Sequence, residues 1–134
     1  MLHKVDPRYL SDVWVWIRLG LEAIIRKTRD DWLPEDVYTE IRNGHAALYL
    51  IYVNHERVGF IVTQLWPGYH AGPRLFVRAL WCEPHTLAPV EQELMDAIRA
   101  LGRESGCRAV RMNSPRRWDA RGWQLKQYIY ETEV

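Results

Sequence analysis

The residues best equipped for chemistry lie in one run, Arg108 to Trp123, which interleaves arginines with Trp118 and Trp123. Guanidinium groups grip phosphate or carboxylate oxygens, and indoles offer flat faces for stacking. Arg116, Arg117, Trp118 and Trp123 are therefore the candidate contacts for a charged partner. An acidic protein surface or a nucleic-acid backbone would satisfy them. The plainer alternative is that both tryptophans pack back on the fold while arginine stems cover its rim. From Arg99 to Lys126 there are eight basic residues against Glu104 and Asp119, although the whole chain carries a formal charge of only +1. So modest a total argues against long-range capture of nucleic acid and favours a protein partner or a second copy. Seven tryptophans in 134 residues add to that expectation, because indoles left out of a core serve interfaces.

Other reactive types form no constellation. His45, His55, His70 and His85 fall at loops or strand ends without metal-ligand spacing, and no metal site is expected. Cys82 and Cys107 stand far apart with no second pair, which suits core thiols in a reducing compartment. Ser114 precedes Pro115 and lacks the Gly-x-Ser-x-Gly elbow of a nucleophile.

The elements that must position these residues follow from local signals. Asp6 and Pro7 open a helix whose apolar stripe, Leu10, Val13, Trp14, Ile17, Leu21, Ile24 and Ile25, runs to about Lys27. A shorter helix starts near Pro34, carries Glu35 and Asp36 in its first turn, and stops at Asn43-Gly44. Ala46–Val53 and Arg57–Trp66 read as antiparallel strands joined by a tight turn. Arg74–Cys82 gives a third strand, with Leu75, Val77, Ala79 and Trp81 on one face. Val90, Leu94, Ala97, Ile98 and Leu101 mark a helix, and Cys107–Asn113 returns as a strand, completing a parallel βαβ crossover. A short helix over Trp118–Lys126 and a last strand, Tyr128–Val134, are expected to finish the chain, the strand at the sheet edge or on another chain. No apolar run approaches the ~18 residues of a membrane helix. The first residues lack the apolar run of a secretory signal, which points to the cytoplasm.

This order, with the crossover at its centre, resembles the GNAT N-acyltransferase superfamily without its first strand. Gly44–Ile51 and Arg57–Val62 resemble the family's second and third strands, and Leu80-Trp81-Cys82-Glu83-Pro84 its central strand before a long helix. The resemblance covers residues 1–134 as one domain. It implies an α/β (α+β) fold with a mixed central sheet, a βαβ crossover and flanking helices. It also implies acetyl-CoA as cofactor if the protein is active, bound beside Trp81 and Cys82 where strands splay. A base would come from the central strand, where Glu83 is nearest, and an acid from a tyrosine near the last helix, Tyr128 or Tyr130.

In active members a Gln/Arg-x-x-Gly-x-Gly/Ala loop holds the cofactor pyrophosphate on backbone N–H groups at the helix start. Alignment places Thr86, Pro89 and Glu91 at the three signature positions. Pro89 has no N–H to donate, and Glu91 and Glu93 put negative charge where a diphosphate would sit. Two readings result. One is an acetyl-CoA-dependent N-acetyltransferase with an unusual loop. The other is a non-catalytic interaction or structural module, similar in outline to small acyltransferase-like proteins of bacteriophages, some of them virion components. The module reading places Trp66, Trp118 or Trp123 at an interface.

Overall fold

The computed structural model describes residues 1–114, 118 and 122–134. The Asp6 side chain accepts from the Arg8 N–H and opens a 3₁₀ turn at Pro7–Tyr9, which leads into α1, Leu10–Thr28. Arg29, at φ 57°, ends α1 in the left-handed conformation. Helix α2, Pro34–Arg42, starts on its proline, with Asp36 reaching back to the Leu33 N–H at 2.8 Å. Strands β2, Ala47–Val53, and β3, Glu56–Trp66, are joined through Asn54 and His55, both at positive φ as a two-residue hairpin loop requires. Strand β4, Arg74–Cys82, leads through a 3₁₀ turn at Ala88–Val90 into α3, Glu91–Glu104, and then into β5, Ala109–Met112.

One strand was not legible. Residues Leu2–Lys4 form β1 and pair antiparallel with β2, Leu2 opposite Ile51, so the first strand expected to be missing is present. Three residues are too few for alternation to show in a sequence. Among the described residues the sheet is five-stranded in the order β1-β2-β3-β4-β5, antiparallel except for the parallel β4–β5 pair that α3 bridges.

The sheet separates two cores. Leu48, Leu50, Phe60, Val62 and Ala79 face α1 and α2, meeting Leu10, Ile17, Leu21, Val37 and Ile41. Ile51, Val58, Ile61 and Val77 face α3, meeting Leu94, Met95 and Ile98. Leu75, Val77, Ala79 and Trp81 therefore do not share a face. Val62 pairs with Ala79 but Thr63 pairs with Val77, so Arg78 is an extra residue in β4. This bulge turns Val77 toward α3 and Ala79 and Trp81 toward α1.

The chain end also differs from expectation. Residues 119–121 of the expected last helix lie outside the described residues, and 122–126 are not helical, Gly122 standing at φ 82°. Residues 128–134 form no strand and lie exposed.

Candidate functional site

The site is built where β4 and β5 part. Their last pair is Val77 with Met112, directly before the Arg78 bulge, and β4 runs on for five residues beyond it. The Glu83 N–H donates to the Val58 carbonyl at 2.8 Å, which fixes the alternation of the β3–β4 ladder. Leu80 and Cys82 therefore turn their own N–H and C=O groups away from β3, into the cleft. Gly59 makes this end of the sheet possible: a Cβ there would lie 2.3 Å from the Trp81 carbonyl oxygen and 2.8 Å from Cys82 Sγ.

On the α3 side the parting strands are lined with apolar groups. Leu80, Cys82, Leu87 and Met112 pack against the cluster that holds Val77, Leu94 and Trp118. Trp118 is 8% exposed and its indole donates to Ser114 Oγ at 2.8 Å, so this expected partner contact is a core residue. Burial pushes the Cys82 thiol up from 9.0 to about 11, which leaves it protonated and a poor nucleophile at neutral pH.

On the α1 side an aromatic cluster closes the strand end. Trp16 meets Trp81 edge-on at 5.6 Å and Phe60 at 6.0 Å, while Phe60 and Trp81 lie 5.8 Å apart. Helix α1 can approach so closely because Gly20 lies over Phe60; a Cβ there would come within 2.4 Å of its ring. The Trp16 indole donates a long hydrogen bond of 3.4 Å to Glu83 Oε1, and the Arg57 guanidinium covers the Trp16 ring at 4.1 Å. Glu83 is thus an exposed carboxylate held between α1 and the end of β4.

The connection from Glu83 to α3 decides what the cleft can hold. Thr86 turns back on Glu83, its N–H and its Oγ1 both donating to the Glu83 carbonyl at 3.2 and 2.6 Å. The Val90 N–H is spent on the Leu87 carbonyl at 2.9 Å, and Pro89 sits inside that 3₁₀ turn. His85 takes φ 65°, where most sequences would place glycine. Glu91 and Glu93 then occupy the first turn of α3, supplying the negative charge that a helix N-terminus attracts. Two of the turn's N–H groups are thus spent within it, and Pro89, Glu91 and Glu93 match a diphosphate poorly.

The remaining candidates lie elsewhere. Tyr128 is 71% exposed, with its ring tilted against Tyr130 at 6.2 Å. Trp123 is half-buried, with its indole nitrogen buried and unpaired among the described residues. Trp66 stacks on Phe76 at 4.0 Å at the far end of β3. Arg116 and Arg117 lie outside the described residues. Sequence reasoning passed over Trp16, Arg57 and Arg78. The signal for Trp16 was present, since a tryptophan off the apolar stripe of α1 needs a second neighbour to pack against.

No family model and no curated protein matches this sequence, whereas solved structures match it over its whole length. A predicted acetyltransferase with acetyl-CoA from Clostridium acetobutylicum shares 14% identity over 99% of this chain and 95% of its own, at a TM-score of 0.70. An aminoglycoside acetyltransferase from an uncultured soil metagenomic sample, in complex with sisomicin, shares 13% over 99% and 96%, at 0.68. A ribosomal-protein-alanine N-acetyltransferase from Brucella melitensis biovar Abortus 2308 shares 15% over 99% of both chains, at 0.66. The chain has the fold of these GNAT acetyltransferases.

Proposed function

We propose that this protein is a GNAT-fold module that no longer turns over acyl-CoA and acts by binding another macromolecule. The observation that carries the reading is the turn from Glu83 to Val90. Its Thr86 and Val90 N–H groups are already used within the turn, Pro89 offers none, and Glu91 and Glu93 oppose an incoming diphosphate. A loop that had merely drifted would lack donors; this one also carries the wrong charge. The apolar filling around Trp118 on the α3 side of the cleft points the same way.

One observation favours the alternative of an acetyl-CoA-dependent N-acetyltransferase. β4 leaves β5 after Val77 and Met112, with the backbone groups of Leu80 and Cys82 directed away from β3 there, and acetyl-CoA or CoA accompanies similar structures. Trp81 and Cys82 would then flank the acyl arm, and Glu83 would be the carboxylate nearest the acceptor.

Calorimetric titration with acetyl-CoA and with CoA at low salt separates the two, using the natural chain and a Pro89→Gly, Glu91→Gly double variant. The expected result is no heat from the natural chain and measurable affinity in the variant. Micromolar binding by the natural chain, followed by acetyl transfer to any amine acceptor, would return the protein to the enzymes.

A further inference from the structure

Among the described residues strand β5 uses only one of its edges. Residues Ala109–Met112 pair with Arg74–Val77 of β4, and no described strand lies on the other side. That edge faces a groove of about 510 Å³ between α3 and residues 122–127. Among the described residues six cations line it, Arg74, Arg99, Arg103, Arg108, Arg111 and Lys126, and no carboxylate does. Arg99 shares its charge with Asp96 at 3.2 Å, and Arg108 donates to the Ala71 carbonyl at 3.1 Å; the described lining is positive. An open strand edge offers a row of N–H and C=O groups to an extended chain, and this one asks for a chain of negative charge.

The sequence contains such a segment. Tyr128-Ile129-Tyr130-Glu131-Thr132-Glu133-Val134 is rich in strand-forming types, and its two charged side chains, Glu131 and Glu133, are both acidic. In an extended chain these two share one face, while Tyr128, Tyr130, Thr132 and Val134 share the other. The segment has no sheet partner, and Ile129 and Tyr130 are 74% and 87% exposed. The chain's own residues border the groove only as far as Gln127 and then leave it.

We propose that residues 128–134 of a second copy add to the free edge of β5 as a strand, with Glu131 and Glu133 set among the groove arginines. Two copies would exchange the segment reciprocally, closing a two-fold dimer. The proposal is independent of whether the cleft binds acyl-CoA, and it gives the expected second-copy partner a place on the fold.

Sedimentation equilibrium of the full chain tests it through charge reversal. The natural chain should dimerise at micromolar concentration. Arg108→Glu, Arg111→Glu should weaken the dimer by about tenfold or more, and Glu131→Lys, Glu133→Lys should do the same. The chain carrying all four changes should dimerise again, which also shows that the reversed groove folds. A natural chain that stays monomeric would overturn the proposal, as would a dimer indifferent to either reversal. A monomer that instead binds single-stranded oligonucleotide, and loses it on Arg108→Glu, Arg111→Glu, would overturn it in favour of nucleic acid.

Discussion

Trp118 hangs from Ser114 by a 2.8 Å hydrogen bond and places its indole in the core beneath α3. A buried tryptophan truncated to alanine costs about 3–5 kcal/mol, and loss of the N–H alone about 1 kcal/mol. Urea denaturation should therefore show Trp118→Ala strongly destabilised and Trp118→Phe only mildly so. A loss below about 1 kcal/mol for the alanine variant would show that the indole is not a core anchor.

The Arg78 side chain ties the β4 bulge to α2. Its Nε lies 3.4 Å from Glu40 Oε2, and its guanidinium covers Trp32 at 4.6 Å. At that distance, with the Glu40 oxygen buried and unmatched by any aligned hydrogen bond, the pair is an ion contact. Arg78→Ala leaves a part-buried carboxylate unpaired, and a cost of about 2–3 kcal/mol is expected. In a double-mutant cycle, Glu40→Gln should recover part of that loss in the Arg78→Ala background but not in the natural chain. Additive effects would show that the contact is idle.

Gly20 is where α1 lies directly against Phe60 and Trp81 of the sheet. A methyl group there would stand 2.4 Å from Phe60 Cε1 and 2.9 Å from Trp81 Cδ2, and Phe60 has no room to retreat. Alanine gains up to about 1 kcal/mol in helix propensity, but overpacking costs about 1–3 kcal/mol. Gly20→Ala should lower the melting temperature by several degrees. An unchanged or raised melting point would show that α1 moves away freely.

Cys82 supplies a pH dependence. Its thiol is pushed up by burial to about 11 in the folded chain, against 9.0 when unshielded. Below about pH 9 both states keep the proton and the group is neutral to stability. Between about pH 9 and 11 the unfolded chain releases a proton that the folded chain holds, so stability falls as pH rises. Cys82→Ala should remove that part of the alkaline slope in pH-dependent denaturation. At pH 8 the natural Cys82 should resist iodoacetamide until the protein is unfolded.

Much of this architecture could be read from residue order, and the parts that could not have physical reasons. Helices α1, α2 and α3 announced themselves because each presents an apolar stripe bounded by a proline start or a glycine stop. Strands β2 to β4 did so through aliphatic and aromatic runs, and β5 through its place after α3 in the crossover. β1 was invisible because its pairing with β2, rather than its own composition, makes it a strand. The β4 alternation misled because a bulge inserts one residue without changing residue types. The phosphate-turn departures at Thr86, Pro89 and Glu91 were legible because they concern which donors and charges exist at all. The holding of Glu83 by Trp16 and Arg57 was not, since those three residues meet only after α1 lies on the strand ends.

The extra residue at Arg78 also constrains how this chain can change over time. Upstream of it the β4 positions are read in one phase, and downstream in the opposite phase. Replacing side chains within β4 tests one contact at a time, but inserting a single residue after Ala79 would exchange inside for outside along Leu80–Cys82 and push Trp81 toward α3. Length should therefore be the guarded property of this strand. Sequences descended from the same ancestor should tolerate substitutions in it far more readily than an insertion downstream of the bulge.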